Sequence, residues 1–221
     1  MAETTLRRRL FEEAQVNGGS WHQAGNLPAR VVDFMWNALD LHFPGGPNLT
    51  VETGCGLSTI LLGSRSRKHI CFTLGEGDDS LVRVRGSSLF RSEATHFVLG
   101  PSQATLHDLR THIQNAGAAS GQTIDFALID GAHAYPFPEL DYWHIYPHLS
   151  HWGLLAIDDV HIPTIKRLYE FLREDAMYDF YALVENTAFF VRNAKPTFDP
   201  YGDGWDLQGF NRKALGWEPL A

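Results

Sequence analysis

Short β-rich runs alternate with helix-length segments along most of this chain, and that alternation restricts its fold more than any other feature. The β-rich runs fall at 49–53, 69–74, 96–99, 124–129, 154–157, 178–184 and 188–192. Helical spacing fills 6–16, 29–41, 58–62, 102–116, 138–149 and 164–175. The run at 124–129 is nearly all apolar, as expected of a strand buried on both faces. Only Glu185-Asn186-Thr187 separates the last two runs, so they should form a hairpin with one antiparallel strand. The pattern predicts an α/β fold: a doubly wound, seven-stranded, mostly parallel sheet with helices on both faces and an N-terminal helical appendage. Such sheets bind ligands beyond the carboxyl ends of their strands, where the strand order reverses. Chemistry is therefore expected in the residues that follow each strand.

Three segments are expected: an N-terminal helical segment at 1–47, the sheet-bearing core at 48–193, and a tail or lid at 194–221. Within the first, Val32, Met35, Trp36 and Leu39 recur at helical spacing, and Pro28 suits the first turn of their helix. Phe43-Pro44-Gly45-Gly46-Pro47 then breaks the chain. This segment should pack on the core or cover the site. The tail is rich in glycine, proline and aromatics without a clear period. It reads as a lid or as an arm to a partner subunit, the latter implying a homodimer.

Acidic residues number 26 against 18 basic ones, for a net charge of -8. A nucleic-acid binder needs a basic patch for the phosphate contacts, and the clusters Arg7-Arg8-Arg9 and 65–68 are short, so no nucleic-acid partner is expected. No apolar run approaches the roughly 18 residues of a membrane span. The first ten residues hold three arginines with no apolar stretch after them, unlike a secretory signal, and the expected location is cytoplasmic. Cys55 and Cys71 do not form a CxxC pair and read as free thiols of a reducing compartment.

The most informative segment is Val51-Glu52-Thr53-Gly54-Cys55-Gly56-Leu57-Ser58, glycines at a strand-to-helix turn where a ligand can approach the backbone. A dinucleotide fingerprint would place a third glycine at position 59, where Thr59 stands. A phosphate-binding loop would need Gly-Lys-Ser/Thr, which is missing. Glu52-x-Gly54-x-Gly56 closely resembles motif I of class I S-adenosylmethionine (SAM)-dependent methyltransferases. The resemblance implies a Rossmann-like methyltransferase fold with SAM on this loop. Glu52 would support the loop, while Gly54 and Gly56, with Cys55 and Ser58 in the same turn, would pass beside the cofactor's methionine part. It also implies an acid after the second strand for the ribose hydroxyls. Glu76, 22 positions after Gly54, is the first candidate, with Asp78 and Asp79 as rivals. Ser102, after the third strand, would lie near the adenine.

Ile129-Asp130-Gly131-Ala132-His133-Ala134-Tyr135 follows the fourth strand, and Ala156-Ile157-Asp158-Asp159-Val160-His161 follows the fifth. Three carboxylates converging on one crevice repel one another unless protons or a cation offset the charge, and a hard divalent ion with oxygen ligands would do so. IDGxHxY followed by DDV resembles the small-molecule O-methyltransferase branch of the family, the catechol and macrolide-sugar enzymes. That resemblance implies a magnesium ion held by Asp130, Asp158 and Asp159, which would lower the pKa of an acceptor hydroxyl. Where the catechol-type pattern has a lysine base, this chain has His133, and an imidazole can fill that role near neutral pH. His161 is a second base or ligand candidate. The alternative for the acidic pair is a cap on a helix beginning near Ile162, with Asp130 only bracing its loop.

His144, His148 and His151 read as a surface or interface cluster, since Pro147 interrupts their spacing. Trp21, Trp36, Phe137, Tyr142, Trp143, Tyr181 and Trp205 could line a flat pocket, although core packing is the default for most of them. No local histidine partners Cys55 as a nucleophile. The expected activity is methyl transfer from SAM to a hydroxyl oxygen of a small metabolite, with divalent-metal assistance and the acceptor unnamed. Two alternatives stand: a nucleotide-cofactor α/β oxidoreductase, and a SAM-fold binding protein without catalysis.

Overall fold

A computed structural model describes residues 3–16, 27–119, 121–193 and 203–218. Trp21, positions 194–202 of the tail and its last three residues lie outside the described residues. The seven strands are β1 (Leu49–Thr53), β2 (Lys68–Thr73), β3 (Thr95–Leu99), β4 (Ile124–Ile129), β5 (Leu149–Ile157), β6 (Tyr178–Val184) and β7 (Thr187–Arg192). They form one sheet in the order β3-β2-β1-β4-β5-β7-β6. β1 to β5 pair in parallel, and β7 runs antiparallel to both β5 and β6. The hairpin expected from Glu185-Asn186-Thr187 is present, and the order reverses between β1 and β4.

Each face of the sheet is covered, because successive side chains on a strand point to opposite sides. On one face, α1 (Glu3–Val16), α2 (Ala29–His42), α3 (Leu57–Arg65) and α4 (Asp79–Gly86) bury Leu10, Met35, Trp36, Leu39, Ile60 and Leu81 against Phe126, Leu128 and Phe189. On the other lie α5 (Ser102–Thr105), α6 (Leu109–Asn115), α7 (Phe137–Ile145) and α8 (Pro163–Glu174). Their Leu109, Ile145 and Leu168 meet Val51, Ile129 and Ile157. A last short helix, α9 (Gly209–Ala214), follows in the tail. α2 shares the sheet's core, with the Arg65 guanidinium 4.7 Å above the Trp36 ring.

Three local features depart from the sequence pattern. α4 has only Leu81, Val84 and Ser80 to bury among its arginines, too few for a readable period, and the Asp78 carboxylate caps it by accepting from the Ser80 N–H at 2.8 Å. The segment 102–116 is not one helix but α5, a 3-10 turn at Leu106–Asp108, and α6. β5 starts at Leu149 rather than 154, with Trp152 held at φ 67 where the register to β4 shifts.

Trp36 is 2% exposed, so Trp36→Ala removes one of the largest fully buried side chains. It should lower the unfolding free energy by about 3–5 kcal/mol in urea denaturation. A loss below about 1 kcal/mol would mean that α2 rests on the sheet without sharing its core.

Candidate active site

The parallel ladder runs one residue past the strand ends. The N–H of Gly54 donates to Phe72 O at 3.0 Å, Gly100 to Thr73 O at 2.8 Å, Asp130 to Thr53 O at 3.1 Å, and Asp158 to Ile129 O at 3.0 Å. These bonds align the segments after β1, β3, β4 and β5 along a single sheet edge, at the place where the strand order reverses. Gly54 has φ +90, and a Cβ on it would stand 2.1 Å from the Asp130 carbonyl oxygen. Only glycine allows this backbone approach.

The glycine turn then enters α3. Thr59, which occupies the place of a third glycine, accepts the Gly56 N–H on its hydroxyl at 3.0 Å and closes the turn from inside. Ser58 is buried beside it. Beneath the turn, Glu52 is fully buried, and its Oε1 lies 3.0 Å from His69 Nε2. The Ser66 hydroxyl donates to Leu62 O at 2.6 Å, so it accepts from Thr50, 2.8 Å away. Thr50 must then accept from His69 Nδ1–H at 2.9 Å, which fixes the donor sense of the row. Glu52 Oε2 is buried without a hydrogen-bond partner among the described residues. Cys55 and Cys71 are both free thiols, and the Cys71 S–H points to Gly54 O at 3.2 Å. Burial foremost, then contact with Cys55, pushes the Cys71 thiol well above its usual range, which leaves it unreactive.

Beyond β4 and β5 the structure brings Asp130, His133 and Asp159 together, one ligand atom of each lying within 4.8 Å of the others. Asp159 sits at φ 54, in the left-handed region that aspartate tolerates better than most residues. Its Oδ2 is 3.4 Å from His133 Nε2 and its Oδ1 3.6 Å from His161 Nδ1. The Thr164 hydroxyl fixes the backbone of His133 by donating to its carbonyl at 2.5 Å. Burial pushes the Asp130 carboxyl well above the usual carboxylate range, and the neighbouring Asp158, Asp159 and Glu52 push it further. Asp158 adjoins this group without being one of its three members: it is 9% exposed and its Oδ1 accepts the Thr187 hydroxyl at 2.5 Å. Burial raises its carboxyl too, against the pull of Thr187. Neither aspartate caps a helix, because α8 begins at Pro163 with Ile162 as its N-cap and no side-chain capping bond.

Residues 51–160, from β1 to just past β5, match a family described as a methyltransferase domain. This chain is a class I SAM-dependent methyltransferase. Solved structures share its fold at low identity. A candidate caffeoyl-CoA O-methyltransferase from Staphylococcus aureus superposes with a TM-score of 0.62 at 14% identity, over 85% of this chain and 92% of the other. The O-methyltransferase TomG of Streptomyces achromogenes, involved in tomaymycin synthesis and solved with SAM, gives 0.57 at 13% identity, over 84% and 90%. MycE of the mycinamycin biosynthetic pathway, solved with Mg, S-adenosylhomocysteine (SAH) and mycinamycin VI, gives 0.53 at 14% identity. There the match covers 89% of this chain but only 56% of MycE. No curated protein matches the chain.

Other expected residues of the methyltransferase fall around this edge. Glu76 follows β2 on the surface, where Arg85 binds its Oε2 at 2.6 Å. Asp78 is engaged as the cap of α4, and Asp79 opens that helix. Ser102 is buried at the start of α5. His144 and His148 have pKa values lowered by burial, and His151 Nε2 lies 2.7 Å from Asn193 O. Among the described residues these three form no ligand group. Sequence reading passed over Asp141 of α7, a fully buried carboxylate set among Thr53, Ser102 and Gly131. It stands where a helix ordinarily faces the core, a charged residue at an apolar position of the 138–149 pattern, and that was the available signal.

Gly54→Ala forces its new methyl into the Asp130 carbonyl and a φ that alanine adopts poorly. The substitution should cost about 2–4 kcal/mol of stability in thermal or urea unfolding. An unchanged midpoint would mean the two loops are free to separate.

Proposed function

We propose that this methyltransferase transfers the methyl group of SAM to a hydroxyl oxygen of a small metabolite, with help from a divalent ion. The observation that carries this reading is the convergence of the glycine turn, across the Gly54–Asp130 contact, with the Asp130–His133–Asp159 group. The donor set fits a cation: two carboxylates and an imidazole lie together, and Asp130 is a half-buried acid whose charge is opposed by its acidic neighbours. Asp130 and Asp159 would hold the ion, with Asp158 adjoining them on the Thr187 side. SAM supplies the electrophilic methyl, and the ion supplies Lewis acidity that lowers the pKa of the acceptor hydroxyl.

The chain's own residues do the rest. The turn from Gly54 to Ser58 binds the methionine part of the cofactor against open backbone, and Glu52 braces the turn from below. Glu76 is the candidate for the ribose hydroxyls and Ser102 for the adenine. His133 takes the hydroxyl proton on its ring, and the Asp159 carboxylate at 3.4 Å stabilises the imidazolium that results. His161, on the far oxygen of Asp159, is the second candidate base. Holding acceptor and methyl donor in line supplies much of the rate. That same 3.4 Å contact supports a second reading, in which the His133–Asp159 pair deprotonates the acceptor without any ion. The two free thiols support a reducing, cytoplasmic location, and the net charge of -8 supports a small-molecule acceptor over nucleic acid. Among the described residues no helix is long and apolar enough to cross a membrane.

Titration calorimetry with SAH, with and without magnesium, tests the reading. One-site SAH binding is expected, with magnesium raising the melting temperature of the wild type and not of Asp130→Asn. Asp130→Asn and His133→Ala should each slow transfer to a hydroxylated acceptor by about 100-fold or more. Full activity in EDTA would leave the ion-free pair as the mechanism. Failure of folded protein to bind SAH would remove the proposal altogether.

A further inference from the structure

Asp141 lies on α7, one helix away from the acidic group, and no step of the transfer uses it. It is 0% exposed. Its surroundings come from three separate strand ends: Thr53 closes β1, Ser102 follows β3, and Gly131 follows β4. A Cβ on Gly131 would stand 3.0 Å from Asp141 Oδ2 and 3.0 Å from Thr53 Oγ1, so the glycine leaves room for the carboxylate. Thr53 Oγ1 receives the Asp130 N–H at 3.3 Å, which leaves its own proton free to point at Asp141. The Thr53 and Ser102 hydroxyls both favour the charged carboxylate, yet neither oxygen of Asp141 has a partner in full hydrogen-bond geometry.

We propose that Asp141 is a positioning residue for the cofactor, drawing the ends of β1, β3 and β4 together through Thr53, Ser102 and the Gly131 turn so that the cofactor crevice is preformed. This rests on SAM occupying the crevice as set out above. A residue retained for stability alone would not look like this one. Burial raises the Asp141 carboxyl to about 6, the Ser102 and Thr53 hydroxyls only partly offsetting it, with no charged neighbour contributing. Its pKa is higher folded than the ordinary 3.8, so the folded state holds the proton more tightly. Stability is therefore unaffected below pH 4, falls as pH rises from about 4 to 6, and stays reduced above that. At pH 8 the carboxylate weakens the empty fold, and that cost is offset only if the ionised group does something the empty fold does not need.

The test is Asp141→Asn, studied by SAH titration at pH 8 and by urea unfolding of the cofactor-free protein from pH 4 to 8. The variant should be the more stable protein at pH 8, by up to about 100-fold in the folded-to-unfolded ratio, with the advantage gone near pH 4. It should nevertheless bind SAH at least 10-fold more weakly. Ser102→Ala should weaken SAH binding as well, and the double variant should be little worse than Asp141→Asn, because both act through one contact. Wild-type SAH affinity in Asp141→Asn overturns the proposal. So does a variant that loses affinity and stability together, or that fails to fold, since either outcome marks an ordinary structural carboxylate. If the wild type itself does not bind SAH, the cofactor reading fails first and this inference falls with it.

Discussion

The backbone contact between Gly54 and the carbonyl of Asp130 is the constraint on which the working edge of this protein depends. β1 and β4 are neighbours in the sheet, yet the chain leaves them toward opposite faces, β1 into α3 and β4 toward α7. The crevice opens because of that divergence, as in other doubly wound sheets. Its floor is set by how closely the two departing chains approach, and a single Cβ at position 54 would be enough to part them. The glycine turn on one side and the acidic group on the other thus share one backbone contact. A displacement of either loop would change the spacing between the two groups on which the proposed transfer depends, and transfer rates fall steeply when reacting atoms are misplaced.

Burial treats the acids of this edge in two different ways. Glu52 is fully buried, and it is matched in place by His69, itself tied through Thr50 and Ser66 to the backbone of α3. Its Oε1 is engaged inside the protein, as a brace requires. Asp130 and Asp141 have no such internal partner, and burial raises both carboxyls. Carboxylates in that condition favour whatever relieves them, whether a proton, a cation or a hydroxyl donor. Glu52, with a ring nitrogen beside it, is thereby set apart from Asp130 and Asp141, the two acids to which the proposals above give work.

Much of the architecture was legible because it follows from periodicity. β1, β4 and β6 have the bounds that their apolar runs suggest, and the three-residue link at 185–187 makes the hairpin unambiguous. Gly54, Asp130, His133 and Asp159 were visible as residues that follow strands, a position the topology brings to one edge. What stayed hidden depends on contacts between distant segments. α4 is too short and too charged to show a period, and Asp78, a candidate ribose ligand by sequence, is committed to capping it. The His69 beneath Glu52 and the Asp141 beneath Thr53 lie 17 and 88 positions from their partners, beyond any local pattern. Thr59 stood out only as a missing glycine, while its hydroxyl in fact holds the turn closed.

The antiparallel hairpin at this edge of the sheet accounts for the split within the Asp158–Asp159 pair. Two adjacent carboxylates on a regular strand would point to opposite faces, and neither face is the crevice. Here β5 ends before them, and the returning β7 begins alongside. Asn186 O takes the Val160 N–H at 2.9 Å, and the Thr187 hydroxyl takes hold of Asp158. With its neighbours pinned on both sides, Asp159 is held in the left-handed conformation, and its carboxylate faces His133 and His161 instead of the core. The strain of that conformation is of the kind that persists only where the surroundings enforce it. One acid is thereby tied to the Thr187 hydroxyl and the next faces two histidines, although the two are adjacent in the chain and chemically identical.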